Sequence, residues 1–172
     1  ITQAVVGFDV RRATVEDVSL ARNILLKEFM NPLSLQADCM LVACQEEEDE
    51  KKLIGFGQVR PLDDKYAELA SVYVTPECRG QGVATRLIRE LLERHDTSES
   101  QQDVCLLTLR PTVRFYEPHG FRIIEGMPQD LPAALQFEYA AGSLISKVLG
   151  NDIVCMIRKR SNPRYSWKTT TD

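Results

Sequence analysis

Val72-Tyr73-Val74-Thr75-Pro76-Glu77-Cys78-Arg79-Gly80-Gln81-Gly82-Val83-Ala84 is the stretch whose reading decides the fold of this chain. An apolar run of strand character ends at Thr-Pro, and a Gly-x-Gly turn follows. From Gly82 to His95 the residues Val83, Leu87, Ile88, Leu91 and Leu92 then form one helical stripe. Gly80 and Gly82 permit backbone angles and close approaches that a Cβ forbids. The turn therefore points several backbone N–H groups into one concavity at the positive end of a helix dipole, a nest for a diphosphate that needs no lysine. Arg79 can pin this loop or meet a phosphate, and Thr85 adds a hydroxyl in the first helical turn. Other phosphate loops fit badly. A Walker loop requires Gly-Lys-Ser/Thr, whereas Val83-Ala84-Thr85 follow Gly82; a dinucleotide fingerprint wants a third Gly or Ala where Thr85 stands. A glycine turn that merely caps a helix is the competing reading.

Outward from this loop, the chain predicts strands at Phe8–Ala13, Met40–Cys44, Leu53–Val59, Tyr66–Val74, Val104–Leu109, Phe121–Ile124 and Ile153–Ile157, the last closing the sheet. Thr14 with Asp17 three residues on resembles a capping box, and Val15, Val18, Ala21, Leu25, Leu26 and Phe29 give helical spacing over Thr14–Phe29. Leu33–Ala37 adds a helical turn. Thr112–His119 is a short helix stopped by Gly120, and Pro132–Leu149 is helical, either covering the core or offering a dimer surface. Glu46 to Lys52 is a charge run, read as a solvated hairpin loop or else an acidic docking patch. Consecutive strands on tight turns, then strand–helix–strand, predict an α/β chain of the α+β type, with a mixed sheet whose Tyr66–Val74 and Val104–Leu109 strands run parallel.

Length and composition bound the rest. At 172 residues the chain suits one domain, expected over 1–160, with 161–172 as a flexible tail. A net charge of −4 excludes the basic footprint of a nucleic-acid binder and mildly favours a cationic partner. The five cysteines lack metal-ligand spacing and there are only two histidines, so no metal site is expected; packed, reduced thiols in an intracellular compartment are. No apolar run approaches the roughly 20 residues of a membrane span. The sequence begins at Ile1, so removal of a targeting segment before it is also an expectation.

The stretch from Val72 to Ala84 resembles the acetyl-CoA-binding segment of the GNAT superfamily of N-acetyltransferases, with its Arg/Gln-x-x-Gly-x-Gly/Ala signature. Phe115-Tyr116-Glu117-Pro118-His119-Gly120-Phe121 resembles the second hallmark of the same superfamily. Segments at Phe137–Ser143 and Leu149–Asp152 are similar to plant and algal plastid members, which points to the cytoplasm or the plastid stroma. The resemblance implies a sheet splayed at the two parallel strands, helices on both faces, and acetyl-CoA as co-substrate with its arm in the opening. Val72, Tyr73, Val74, Arg79, Gly80, Gln81, Gly82, Val83, Ala84 and Thr85 would bind the cofactor. A free amine would attack the thioester directly, its carbonyl polarised by a backbone N–H near Val72 or Val74.

Tyr116 matches the tyrosine near the sulfur and suits protonation of the leaving thiolate, its ordinary pKa being about 10; packing under the arm is the alternative. Glu68 is the candidate base acting through water, against a surface residue; His119 is the rival. Many relatives carry an asparagine seven residues before the tyrosine. Leu109 stands there, followed by Arg110 and Thr112, so a polar contact has moved or backbone alone holds the arm. The implied acceptor is a primary amine, with a protein N-terminus or lysine favoured over a polyamine-like molecule, and the protein a monomer or homodimer. A non-catalytic acyl-CoA-binding module would keep the Arg79–Thr85 nest without needing Tyr116.

Overall fold

A computed structural model describes residues 7–28, 30–47, 50–124, 132, 133, 135, 136, 139 and 152–160. Seven strands form one mixed sheet: β1 (Asp9–Arg12), β2 (Met40–Glu47), β3 (Glu50–Pro61), β4 (Tyr66–Val74), β5 (Asp103–Leu109), β6 (Arg122–Ile124) and β7 (Ile153–Arg158). Their order is β1-β2-β3-β4-β5-β7-β6, and only β4–β5 is parallel. The last strand thus does not close the sheet as expected: β7 lies inside it and β6 is the edge. Ile153–Arg158 is apolar at every position but Arg158 and pairs on both sides, whereas the three-residue β6 is the short strand left at the edge.

Helices cover both faces, and the strands' period of two decides which residues meet which helix. Leu41 and Ala43 of β2 pack with helix α2 (Val83–Thr97), while Met40, Val42 and Cys44 pack with helix α1 (Val15–Lys27). Val83, Leu87, Ile88, Leu91 and Leu92 are all buried, each contributing about 1.5–3 kcal/mol. Gly55 and Gly57 of β3 let α2 sit this close. A Cβ at Gly55 would lie 2.9 Å from the Tyr73 carbonyl oxygen and 3.2 Å from Val83; one at Gly57 would lie 3.3 Å from Leu91. Beyond α1, Leu135 covers Cys105 and Cys155 on its face of the sheet. Residues 133, 135, 136 and 139 are helical, in accord with a core-covering Pro132–Leu149 segment; the rest of that segment, Phe29, the 161–172 tail and most of the plastid-like segments lie outside the described residues.

Two local expectations change. The charge run is largely not a loop: β2 and β3 extend through it, with Gln45 opposite Lys52 and Glu46 opposite Lys51, because cross-strand pairs of opposite charge support a hairpin arm in water. On α1, Val15 and Leu26 are exposed, and the buried stripe is Val18, Ala21 and Leu25 with Asp17. The capping box does form. The Asp17 N–H donates to Thr14 Oγ1 (3.2 Å), and the Thr14 N–H donates to Asp17 Oδ2 (2.7 Å). Burial would push the Asp17 carboxyl up, but bonds from Arg11 (2.6 Å) and Thr14 outweigh it and hold the group below its usual range. The helical turn expected over Leu33–Ala37 instead starts at its last residue, as a 3-10 turn over Ala37–Cys39.

Candidate active site

The opening in the sheet starts from one backbone irregularity. Phe56 is opposite Tyr73, but Gln58 is opposite Ala70, so Ser71 and Val72 together face Gly57 in a bulge. Ser71 takes φ 55°, a left-handed conformation that a non-glycine residue adopts at a cost. Parallel pairing with β5 covers only Tyr66–Glu68 against Asp103–Cys105. Beyond it β4 stays with β3, while Leu106–Leu109 stay with β7. The two inner edges diverge and leave a slot flanked by unpaired backbone groups.

At the end of β4 the predicted nest is present. Gly80 and Gly82 have φ 74° and 82°, and a Cβ on either would point into open space within 4 Å. Gly82 caps α2 without a side chain, and the first helical bond is Arg86 N–H to the Gly82 carbonyl, so the N–H groups of Val83, Ala84 and Thr85 have no helical acceptor. Arg79 pins the loop, its Nε donating to the Val74 carbonyl (3.0 Å) with the guanidinium 5.9 Å from the Tyr73 ring centroid. Gln81 Nε2 holds the Glu77 carbonyl at 2.9 Å. A cleft of about 350 Å³ is lined by Val74, Arg79, Gly80, Gly82, Ala84 and Thr85. Free N–H groups, a dipole and two positions without Cβ fit a diphosphate. Tyr73 contributes backbone only: its ring stacks on Phe56 (5.4 Å) toward α1, and Val72 packs against the α2 core.

Phe115 also lines this cleft and is 37% exposed. Sequence reasoning offers Phe115 only as a member of the second motif, and its place there beside Tyr116 is the signal for it. Tyr116 ends a four-residue helix, α3 (Val113–Tyr116), and packs edge-on against Phe115 (5.0 Å) and Phe121 (6.1 Å). Burial pushes its phenol above the ordinary value, opposed by a hydrogen bond with the Thr108 side chain. Thr108, one position before Leu109 on β5, shares the face of Val104 and Leu106, where Tyr116 packs, while Leu109 is on the other.

Glu68 lies on the face opposite α2, at the last paired rung before the slot, and is 4% exposed. Its Oε2 accepts from Arg60 Nε (2.9 Å) and Nη2 (2.6 Å). Gln58 is on the same face, fully buried; its Nε2 donates to the Ser34 carbonyl (3.0 Å) and its Oε1 accepts from the Gln36 N–H (3.1 Å). His119 sits in the turn before Gly120, edge-on to Phe115 at 5.9 Å. Burial and the nearby Arg158 charge hold it below its usual pKa. Among the described residues no cluster of three His, Cys, Asp or Glu is placed to hold a metal, and no helix is long and apolar enough to cross a membrane.

Comparison with known proteins agrees with this geometry. The chain is similar to Rv2747 of Mycobacterium tuberculosis, solved in complex with CoA: identity is 25%, coverage 88% of this chain and 98% of that one, TM-score 0.65. N-acetylglutamate synthase from Neisseria gonorrhoeae, complexed with coenzyme A and L-arginine, is 13% identical over 90% of this chain, which spans about a third (34%) of that protein, with TM-score 0.65. The ribosomal-protein-S18-alanine N-acetyltransferase of Escherichia coli is 15% identical, with 96% and 100% of the two chains covered and TM-score 0.61. A search of curated proteins gives no match. The acetyltransferase (GNAT) domain model matches residues 36–123, from the segment held by Gln58 through the nest to Tyr116, and the chain belongs to this family of acyl-CoA-dependent acyltransferases.

Proposed function

We propose that the chain is an acetyl-CoA-dependent N-acetyltransferase acting on a primary amine by direct attack. The observation that carries this is the nest at the end of β4, where β4 and β5 part, with Phe115 of the second motif lining the same cleft and the partly buried Tyr116 packed beside it. The Arg79–Thr85 loop holds the diphosphate, and the inner edges of β4 and β5 hold the arm. A backbone N–H beside the Ser71 bulge polarises the carbonyl. The amine nitrogen bonds to the carbonyl carbon and loses a proton through water toward Glu68. The carbon–sulfur bond breaks, and the thiolate takes the Tyr116 proton. A protein N-terminus or lysine is the favoured acceptor on the resemblance to plastid members; the net charge of −4 suits any cationic amine. Five unpaired cysteines support a reducing compartment, the cytoplasm or the plastid stroma.

The test is calorimetry with acetyl-CoA, CoA and ATP, then CoA release with a panel of peptides and small amines. Binding of acetyl-CoA but not ATP is expected, with turnover on at least one amine; no acetyl-CoA binding at millimolar concentration overturns the reading. Tyr116→Phe should lower kcat by about a hundredfold, the range of a general acid, with CoA affinity unchanged. Cofactor binding with no turnover and an indifferent Tyr116→Phe would make the protein an acyl-CoA-binding module.

A further inference from the structure

The nest cannot by itself choose its ligand. The N–H groups of Val83, Ala84 and Thr85 recognise phosphate oxygens, and any diphosphate ester presents those. Selection has to come from side chains beside the nest. Gly80, Gly82, Ala84 and Thr85 are small, and Val74, Cys78 and Val83 are buried by the core although they line the cleft. That leaves Phe115 as the large apolar surface of the cleft still open to a ligand, whereas Phe56 and Phe121 are fully buried. The ring is held in place. Tyr116 packs edge-on to it at 5.0 Å and His119 at 5.9 Å, and the buried Val113 anchors α3 in the core. It offers a surface fixed before any ligand arrives, so little side-chain freedom is lost on binding.

Its place along the cleft decides what it meets. The function proposed above puts the cofactor's sulfur at Tyr116 and its diphosphate at the nest. A ring that packs on Tyr116 and also lines the nest's cleft lies on the arm side of that diphosphate. In coenzyme A the group adjoining the diphosphate on that side is the pantoyl unit, whose quaternary carbon carries two methyl groups. We propose that Phe115 packs on these methyls and so makes the nest selective for coenzyme A over diphosphates that lack the arm. This rests on CoA as the cofactor and adds what distinguishes it from other diphosphates at the same loop.

Calorimetry tests this with three ligands: CoA, CoA made without the two pantoyl methyls, and the 3′-phosphoadenosine diphosphate half of CoA, which lacks the arm. The unaltered protein should bind the demethylated compound about tenfold more weakly than CoA, the scale for burying two methyl groups. Phe115→Ala should weaken CoA about tenfold, erase the difference between the two CoA forms, and leave the nucleotide half within twofold. Phe115→Leu, which keeps an apolar side chain, should recover most of the loss. Equal affinity of the unaltered protein for both CoA forms overturns the inference without any variant. So does a Phe115→Ala protein that still tells the two forms apart, or one that loses the nucleotide half as strongly as CoA, which puts the ring on the adenosine. Each of these leaves CoA standing as the cofactor; an unaltered protein that binds no CoA removes the cofactor and this inference together.

Discussion

The two sides of the slot are built in opposite ways. The side proposed to hold the cofactor is one continuous run, Val74 to Thr85, which offers backbone N–H groups and glycines that leave space clear. The face opposite α2, where Glu68 lies and where we propose the acceptor enters, is assembled from side chains far apart in sequence: Gln58 reaches Ser34 and Gln36, and Arg60 reaches Glu68 across β3 and β4. A backbone nest tolerates varied side chains provided two positions lack a Cβ. A side-chain floor depends on each partner, since a buried polar group that loses its mate keeps its desolvation cost. One side should therefore fail through glycine replacement, and the other through loss of single polar partners.

Gly82→Val is the largest blow to the cofactor side. It places a β-branched residue at φ 82° and a side chain in the ligand's space. CoA affinity by calorimetry should fall by about a hundredfold or more, with the far-ultraviolet dichroism retained. Arg60→Met probes the other side, leaving Glu68 buried without its guanidinium. It should destabilise the fold by roughly 3 kcal/mol in denaturant titration, and Glu68→Gln added to it should recover part of that loss. A cofactor affinity that fell in parallel would break the division between the two sides.

Gln58→Leu should cost about 2 kcal/mol for two buried hydrogen bonds, and raise the acceptor KM severalfold while that for acetyl-CoA stays constant. The smallest effect lies away from both sides. Arg158 Nη1 and Nη2 hold the Asp96 carboxylate at 2.9 and 2.6 Å, and this pair with burial opposing sets the carboxyl below its usual range. A lowered folded pKa adds stability that is complete above the unfolded value of about 3.9 and fades as the pH falls through the folded one. Arg158→Gln should thus narrow the stability gap from wild type below about pH 4 in pH-dependent thermal melts.

Much of the fold was legible because its signals are local. The α2 stripe, the Thr14–Asp17 cap and the apolar run Met40–Cys44 of β2 each show in fewer than about 15 residues. Glu46–Lys52 misled because charge reads as loop, and only the pairing of Glu46 with Lys51 across the hairpin shows strands there. Val15 and Leu26 misled because periodicity does not say how wide a face is covered. Gly55 and Gly57 carried no turn signal; their reason is α2, packed on them from 26 or more residues away.

By itself, the sequence determined the nest, since glycine stereochemistry and a helix N-terminus are properties of consecutive residues, and with it the class of co-substrate. It also set Tyr116 beside Gly120 in a recognisable turn. Only the tertiary structure decided that Thr108 rather than Leu109 shares the face of β5 on which Tyr116 packs, because the choice depends on which face of β5 is turned to α3. It alone fixed Glu68 against Arg60 and opened the slot at Ser71, since both arise from strand register, and register is set by partners that no short stretch of chain contains.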